Sequence, residues 1–103
     1  MNKLTFDSIY QHLQSKGIRC TPTVSGGIKV YSEYYFLGVF TSAQGQCVFR
    51  GDICVNYTLT QYYLHRVLNL FECDKVAYTN YDDDYVHYIC RIKAIKPQET
   101  VNE

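Results

Sequence analysis

The chain lacks several features that would point to a common class of function. It has no tryptophan, one methionine and two prolines in 103 residues, and its ten basic residues balance ten acidic ones. A net charge of zero gives no long-range attraction to nucleic acid or to an anionic membrane, so either contact would need a local basic patch. No run of about eighteen apolar residues is present, so the sequence predicts no membrane-spanning helix and no membrane partner.

The N-terminal segment, MNKLTFDSIYQHL, lacks the pattern of a secretory signal. Its single lysine is followed by Asp7, Gln11 and His12 instead of an apolar run and a cleavage site. We therefore expect an intracellular, cytoplasmic protein.

The cysteine spacing argues against metal sites and disulfides. The chain has neither a CxxC pair nor an HxxxH pair, whereas structural zinc sites need ligands held close together by a turn. Cysteines in a reducing compartment are more often small buried hydrophobic residues. We expect this of most of the five, and we expect neither a metal nor a cofactor. The cysteines are Cys20, Cys47, Cys54, Cys73 and Cys90.

Recognisable catalytic patterns are also absent from the sequence. It has no phosphate-binding loop, no GxSxG and no HExxH. His87 and Cys90 are three residues apart on a predicted strand, which places them on opposite faces. A site assembled from distant elements stays possible, but the sequence favours a protein that is not an enzyme.

Two segments have the spacing of amphipathic helices. Residues 4–18 carry a possible N-cap at Thr5 and a glycine, Gly17, suited to the C′ position. Residues 56–71 begin with a T-x-x-Q capping box formed by Thr58 and Gln61. The apolar positions of the second helix repeat at i, i+3, i+4 and i+7. They are Leu64, Val67, Leu68 and Phe71.

Four segments rich in β-branched and aromatic residues are predicted as strands, at 27–42, 46–55, 72–80 and 85–96. We expect a two-layer α+β domain over 1–96 with the order α-β-β-β-α-β-β. It would have an antiparallel sheet of four to five strands with two helices on one face. On the second strand Cys47, Phe49 and Ile53 should face the core. Residues 97–103 are a polar C-terminal tail.

The predicted order helix-strand-strand-strand-helix over residues 4–71 resembles the double-stranded-RNA-binding domain. That family carries a basic cluster at the start of its second helix, which meets phosphates. The matching stretch here, NYTLTQYY, has no lysine or arginine. The resemblance therefore implies a fold but no RNA-binding activity.

Tyrosine is over-represented, with eleven in 103 residues. Tyr34 and Tyr35 are adjacent on a predicted strand, where neighbouring side chains face opposite sides. Tyr62 and Tyr63 are adjacent on the second helix, so one of them should also face outward. Exposed aromatic surface favours coverage by a partner or by a second copy of the chain.

The segment YTNYDDDYVHY, residues 78–88, combines tyrosines with three consecutive aspartates. Aspartate is common in hairpin turns, so a solvated turn is one interpretation. The other is a contact surface whose acidic tip attracts a protein with a basic surface. The candidate partner-binding residues are Tyr78, Tyr81, Asp82, Asp83, Asp84 and Tyr85.

These patterns predict a small non-enzymatic protein-binding regulator or inhibitor that acts by covering a surface of its partner. In size and composition the chain is similar to phage and mobile-element accessory proteins that block host defences. The alternative is a small nucleic-acid-binding module that stacks bases on sheet tyrosines and contacts phosphates through Arg91, Lys93 and Lys96. A homodimer is a further way to cover exposed rings.

Overall fold

Two helices and seven strands make up the described part of the chain. The computed structural model describes residues 4–32, 35–54, 58–74, 78–80 and 85–96. The elements in chain order are α1 (Phe6–Ser15), β1 (Cys20–Pro22), β2 (Ile28–Tyr31), β3 (Phe36–Ala43), β4 (Gln46–Cys54), α2 (Thr58–Leu68), β5 (Phe71–Asp74), β6 (Tyr78–Asn80) and β7 (Tyr85–Ile95).

The seven strands form one antiparallel sheet with the order β1-β2-β3-β4-β7-β5, and β6 also pairs with β7. The predicted α+β class is confirmed, as are the antiparallel sheet and the two helices. The predicted count of four to five strands is wrong. Four strands, not three, lie between the helices, so the element order also departs from that of the double-stranded-RNA-binding domain.

The extra strand arises because the segment 27–42, predicted as one strand, is a hairpin formed by β2 and β3. Ser32 and Tyr35 lie at the facing ends of these two strands. The N–H of Ser32 donates to the carbonyl oxygen of Tyr35 over 2.7 Å, and the N–H of Tyr35 donates to Ser32 Oγ over 3.0 Å. A serine side chain that bonds the backbone in this way favours a turn over a continuous strand.

The predicted strand 72–80 contains two described strands, β5 and β6, which both pair with β7. β5 pairs with the C-terminal half of β7 and β6 pairs with its N-terminal half. Phe71, which was predicted to lie on the second helix, begins β5 and pairs with Ile95. α2 ends at Leu68, and the chain turns at residues 69 and 70 before it enters the sheet.

The first helix begins at the predicted N-terminal cap and ends at the predicted C-terminal glycine. Thr5 Oγ1 accepts from the Ser8 N–H, and Ser8 Oγ in turn accepts from the Thr5 N–H, each over 3.0 Å. At the other end Gly17 has a φ of 73° and its N–H donates to the Gln14 carbonyl. This closure is a Schellman motif, in which glycine avoids the penalty that a Cβ would carry at positive φ. Thr58, predicted as the cap of α2, is the first residue of that helix, and its side chain lies outside the described part of the chain.

One apolar core fills the space between the helices and the sheet. Its cluster combines side chains of both helices with side chains of the strands, so both helices pack on the same face of the sheet. Phe40 and Phe49 pair across β3 and β4, with ring centroids 4.5 Å apart. The helical members of the core are Ile9, Leu13, Leu64 and Val67.

The opposite face of the sheet is more polar. Phe49 is fully buried in the core, whereas its neighbour Arg50 is exposed, as the alternation predicted for this strand requires. Arg50 pairs with Val39 on β3 and with Ile89 on β7, and both of these side chains are half-buried. No described helix covers this face.

Lowering the pH is expected to destabilise the fold through His12. The ring lies edge-on to Phe71, with centroids 5.7 Å apart. Burial lowers the pKa of His12, and the charge of nearby Lys16 lowers it further. A hydrogen bond to the Leu70 carbonyl has the smaller, opposite effect and raises the pKa. A lowered folded-state pKa means that the unfolded chain binds the proton more readily. Stability is therefore full above the unfolded value of 6.5 and declines as the pH falls through the folded pKa.

Urea denaturation at about pH 7.5 and pH 5.5 tests this expectation. The wild-type midpoint should fall between these two values, and the fall should be smaller in the His12→Asn variant. His65→Asn, on the exposed side of α2, serves as the control and should keep the wild-type difference. An equal fall in the wild type and in His12→Asn would contradict the assignment.

Candidate functional site

The predicted acidic surface is only partly placed by the structure. Residues 81–84, which include Tyr81 and the three aspartates of the turn, lie outside the described part of the chain. The backbones of Tyr78 and Tyr85 lie in β6 and β7, where they pair with Tyr88 and Cys54. The role of this surface in partner binding therefore stays a prediction.

The predicted basic group lies on β7 and just after it, and all three side chains are exposed. Arg91 Nη1 lies 3.4 Å from Asp74 Oδ2, and Lys93 Nζ lies 3.6 Å from Asp74 Oδ1. The N–H of Lys96 donates to the Leu70 carbonyl at the end of β7. Because two of the cations share one carboxylate, their charge is partly neutralised. Such exposed ion pairs contribute about 0–1 kcal/mol to stability.

Most of the tyrosines with described side chains are not fully buried. Tyr88 is the exception, with no exposed surface and a hydroxyl that donates to the Leu37 carbonyl over 2.6 Å. Tyr35 is 42% exposed and Tyr62 is 61% exposed. The sequence prediction that one of Tyr62 and Tyr63 faces outward is confirmed. The half-buried tyrosines are Tyr10, Tyr31 and Tyr63.

An open groove of about 480 Å³ lies where the end of α1, the β2–β3 hairpin and α2 meet. Two arginines, Arg19 and Arg66, and two tyrosines, Tyr31 and Tyr63, line it. We call this feature the arginine–tyrosine groove. Its volume lies within the range of about 300–1,000 Å³ typical of ligand sites. The aliphatic residues that line it are Ile18, Leu37 and Val67.

The C-terminal cap of α1 fixes one side of the groove. The left-handed turn at Gly17 directs the chain back, and the N–H of Ile18 donates to the Leu13 carbonyl over 3.0 Å. The Arg19 carbonyl then accepts from the N–H of Tyr31 over 2.9 Å. The backbone of Arg19 is thus tied both to the helix end and to the sheet, which positions its side chain beside the groove.

The second helix supplies the facing side. Tyr63, Arg66 and Val67 are spaced i, i+3 and i+4, which places them on one helical face. Val67 is buried in the core, Tyr63 is half-buried and Arg66 is exposed. Val67 therefore forms part of the apolar base of the groove, and Arg66 forms part of its charged rim.

Two exposed rings extend the groove beyond its lining. Phe36 is 49% exposed and packs edge-on against Tyr31, with centroids 5.7 Å apart. Tyr62 is 61% exposed and contacts Tyr63 in the same geometry, with centroids 5.4 Å apart. We call Phe36 and Tyr62 the flanking rings. Together with the two groove tyrosines they form an aromatic surface that one binding partner could cover.

Two arginines, Arg19 and Arg66, line the groove. The Arg19 guanidinium carbon lies 5.2 Å from the centroid of the Tyr31 ring, which is a cation–π distance. Arg66 has no ion pair within the described residues. No aspartate or glutamate is among the described residues that line the groove. The groove therefore combines the exposed guanidinium of Arg66 with apolar and aromatic surface.

Neither Arg19 nor Arg66 was predicted from the sequence to belong to a site. A partial signal was present, because Tyr63 and Arg66 have the spacing of neighbours on a helix. The segment that follows Gly17 gave no comparable signal. Arg19 and Arg66 come together only through the packing of α1 and α2 on the same sheet face.

The described cysteines are poorly suited to nucleophilic chemistry. Burial raises the pKa of Cys47 and of Cys90 to about 11, and it raises those of Cys20 and Cys73 as well. A thiol with a raised pKa stays protonated at neutral pH, and the thiolate is the nucleophile. His87 and Cys90 lie on opposite faces of β7, as predicted. Within the described residues, no three histidine, cysteine or acidic side chains converge on a possible metal position.

Comparison with known proteins gives no match to a protein-family model, to a curated protein or to a solved structure. Among the described residues, neither helix has the length and apolar character needed to span a membrane. The groove and its flanking rings are the candidate functional surface of the described residues.

Proposed function

We propose that this domain is a non-enzymatic protein-binding regulator or inhibitor that acts by covering a surface of its partner. The observation that carries the proposal is the aromatic surface formed by the groove and the flanking rings Phe36 and Tyr62. Exposed rings in one continuous patch favour coverage by another molecule. The acidic segment at residues 81–84, predicted from the sequence as a turn, would be a second contact region.

The residue types at the groove are those that dominate binding energy in protein interfaces. Tyrosine and arginine are enriched among interface hot spots, because they combine large apolar area with polar groups. Burying one large apolar side chain contributes about 1.5–3 kcal/mol. The two flanking rings would therefore contribute to a contact that needs no chemical step.

The described side chains also support a binding role over a catalytic one. Burial raises the pKa of each of the four described thiols, and the groove is lined by no histidine, cysteine or carboxylate within the described residues. A general acid or base needs a titratable group within reach of the substrate. Arginine stays charged throughout the physiological range and can hold a ligand, but it is a poor proton donor.

Replacing both flanking rings by serine, in a Phe36→Ser and Tyr62→Ser double variant, is expected to reduce partner capture by about tenfold or more. The immobilised full chain would be incubated with lysate from its native source cells. Captured proteins would be quantified by mass spectrometry against the wild-type bait. Both rings are exposed, so the variant should remain folded, which circular dichroism would verify.

Arg50→Ser, on the opposite face of the sheet, is the matched control and should capture the same proteins as the wild type. A separate variant with serine at positions 82, 83 and 84 tests the acidic turn and should also weaken capture. Capture that neither surface variant alters would count against the proposal. Loss of a dimer in size-exclusion chromatography, with no other protein captured, would identify a second copy of the chain as the partner.

A nucleic-acid-binding role remains the less favoured proposal. The exposed residues Lys29, Arg50 and Arg91 lie on a sheet face that no described helix covers, which favours it. Two observations argue against nucleic-acid binding. Arg91 forms an ion pair with Asp74. Tyr88 is the tyrosine of β7 whose side chain is described, and it is buried. A salt-dependent shift of labelled single-stranded RNA, lost in Arg91→Ser, would support it over protein binding.

A further inference from the structure

We propose that the arginine–tyrosine groove and its flanking rings bind a proline-rich segment of the partner protein. The segment would be held in the polyproline II conformation, with one carboxylate next to its prolines. This inference rests on the proposed protein-binding function and adds the chemistry of the partner. The surface involved is distinct from the acidic segment at residues 81–84.

Four aromatic rings form two pairs, one on each side of the groove. Tyr31 and Phe36 belong to the β2–β3 hairpin, and their ring planes are 65° apart. Tyr62 and Tyr63 belong to α2, and their ring planes are 73° apart. Two rings at such an angle form a corner in which one proline side chain can pack, as prolines do in aromatic-lined grooves. The groove therefore has one aromatic corner on the hairpin and another on the helix.

The polyproline II helix places its prolines so that two of them can face the same surface. It has three residues per turn and rises about 3.1 Å per residue, so positions i and i+3 lie on one face, about 9 Å apart. One proline can then pack in each corner while the residues between them face away. This conformation is already extended in the free peptide, which lowers the entropy cost of binding.

The polar side chains of the groove favour a ligand that is rich in hydrogen-bond acceptors. The Arg66 guanidinium has only donors, and the hydroxyl groups of Tyr31 and Tyr63 can donate as well. The described lining contains no carboxylate and no side-chain amide. Proline has a backbone carbonyl but no N–H, so a proline-rich chain brings acceptors and leaves few donors unpaired. The backbone carbonyls of an α-helix are already paired and would not meet this need.

Arg66 supplies the charge that selects an acidic residue in the ligand. Its side chain is exposed and has no ion pair within the described part of the chain. Tyr62 and Tyr63 precede it by four and three residues, so Arg66 lies beside the corner on the helix. A carboxylate next to the proline in that corner can therefore pair with Arg66. Arg19 lies on the hairpin side, where it contacts the Tyr31 ring, and it has no part in this selection.

A nucleic-acid strand is less well matched to this surface. Its affinity depends on neutralising many backbone phosphates, and the whole chain has a net charge of zero. A peptide with a single carboxylate needs only Arg66. Single-stranded RNA is nevertheless included in the test below, as a competing outcome.

The test uses an array of peptides with the pattern Pro-x-x-Pro and one glutamate at each position around it. Each peptide has one match with alanine for both prolines and another with glutamine for glutamate. Binding of the full chain to selected labelled peptides would be measured by fluorescence anisotropy. A subset should bind at least about tenfold more tightly than its alanine match and about threefold or more tightly than its glutamine match. If the alanine matches, which favour a helix, bind as well, or if RNA binds more tightly than any peptide, the inference is wrong.

Variants of the rings locate the prolines. Phe36→Ser and Tyr62→Ser should each weaken binding of the selected peptide by about tenfold. Val24→Ser is the matched control, because Val24 is an exposed apolar residue in the turn between β1 and β2, away from the groove. It should leave the affinity unchanged. Equal losses in the three variants would show that the peptide does not bind at the aromatic corners.

A charge exchange locates the carboxylate. Arg66→Glu should weaken binding of the acidic peptide by about tenfold or more, and it should prefer a peptide with lysine in place of glutamate. Arg50→Glu, at an exposed arginine on the other face of the sheet, is the control and should keep the preference for glutamate. The same change of preference in both variants would show non-specific charge attraction and overturn the assignment of Arg66.

The outcomes separate this inference from the proposed function. If the Phe36→Ser and Tyr62→Ser double variant loses the captured protein but no proline-rich peptide binds, protein binding holds and the proline-rich ligand is wrong. If the acidic proline-rich peptides bind at the corners but no protein is captured, the groove chemistry holds and the proposed regulator is wrong.

Discussion

Replacing Phe40 by alanine is expected to lower the free energy of unfolding by about 3–5 kcal/mol. Phe40 has no exposed surface and lies at the centre of the core. Its ring centroid is 4.5 Å from that of Phe49 and 5.2 Å from that of Phe71, which links three strands in one aromatic cluster. Removing the ring leaves a cavity. The neighbouring strands are held by their hydrogen bonds, so they cannot move in to fill it.

Urea denaturation followed by circular dichroism measures the change. A free energy of unfolding of about 5–15 kcal/mol is usual for a domain, so the variant would lose a large part of its stability. Phe36→Ala is the matched control, because Phe36 lies on the same strand but is 49% exposed. Its cost should be about 1 kcal/mol or less. Similar costs for the two variants would mean that the core is not centred on Phe40.

Adding a single methyl group at Gly51 is expected to cost about 3 kcal/mol. Gly51 pairs with Tyr88, and its bare Cα leaves room for the tyrosine ring in the core. A Cβ built at Gly51 would lie 3.0 Å from the Tyr88 hydroxyl and 2.9 Å from the Gly38 Cα, and it would also meet the Leu37 carbonyl oxygen. The hydroxyl and this carbonyl share the 2.6 Å hydrogen bond that satisfies both. The methyl group would therefore crowd the strands and disrupt that bond.

A double-mutant cycle isolates the mechanism. Gly51→Ala and Tyr88→Phe would be measured singly and together by urea denaturation. The phenylalanine variant removes the crowded hydroxyl, so the double variant should cost less than the sum of the single variants. Ser42→Ala, at an exposed position of β3, is the control and should change stability by about 0.5 kcal/mol or less. Strict additivity would contradict steric competition at the hydroxyl.

Local features were predictable where a short segment is sufficient to fix them. Thr5 and Gly17 lie at the ends of α1 because capping involves hydrogen bonds among near neighbours in the chain. The alternation on β4 was also predictable, because a strand with Phe49 buried must direct Arg50 away from the core. The two helices and the antiparallel sheet follow from patterns of this kind.

The incorrect predictions concern segments where tertiary contacts compete with local pattern. Phe71 continues the helical repeat of α2, yet it pairs with Ile95 at the start of β5. In the sheet its ring contacts both His12 and Phe40 and is almost fully buried in the core. The turn at Ser32 was missed because the residues on both sides of it favour strands.

The sequence by itself determined the class of the fold, the ends of α1 and the excess of tyrosine over what a small core holds. The tertiary structure alone decided the number of strands and the position of the arginine–tyrosine groove. Arg19 and Arg66 are far apart in the chain, and only the packing of both helices on one sheet face brings them to a shared surface. Capping and alternation depend on neighbours in sequence, whereas a groove depends on which distant surfaces are buried together.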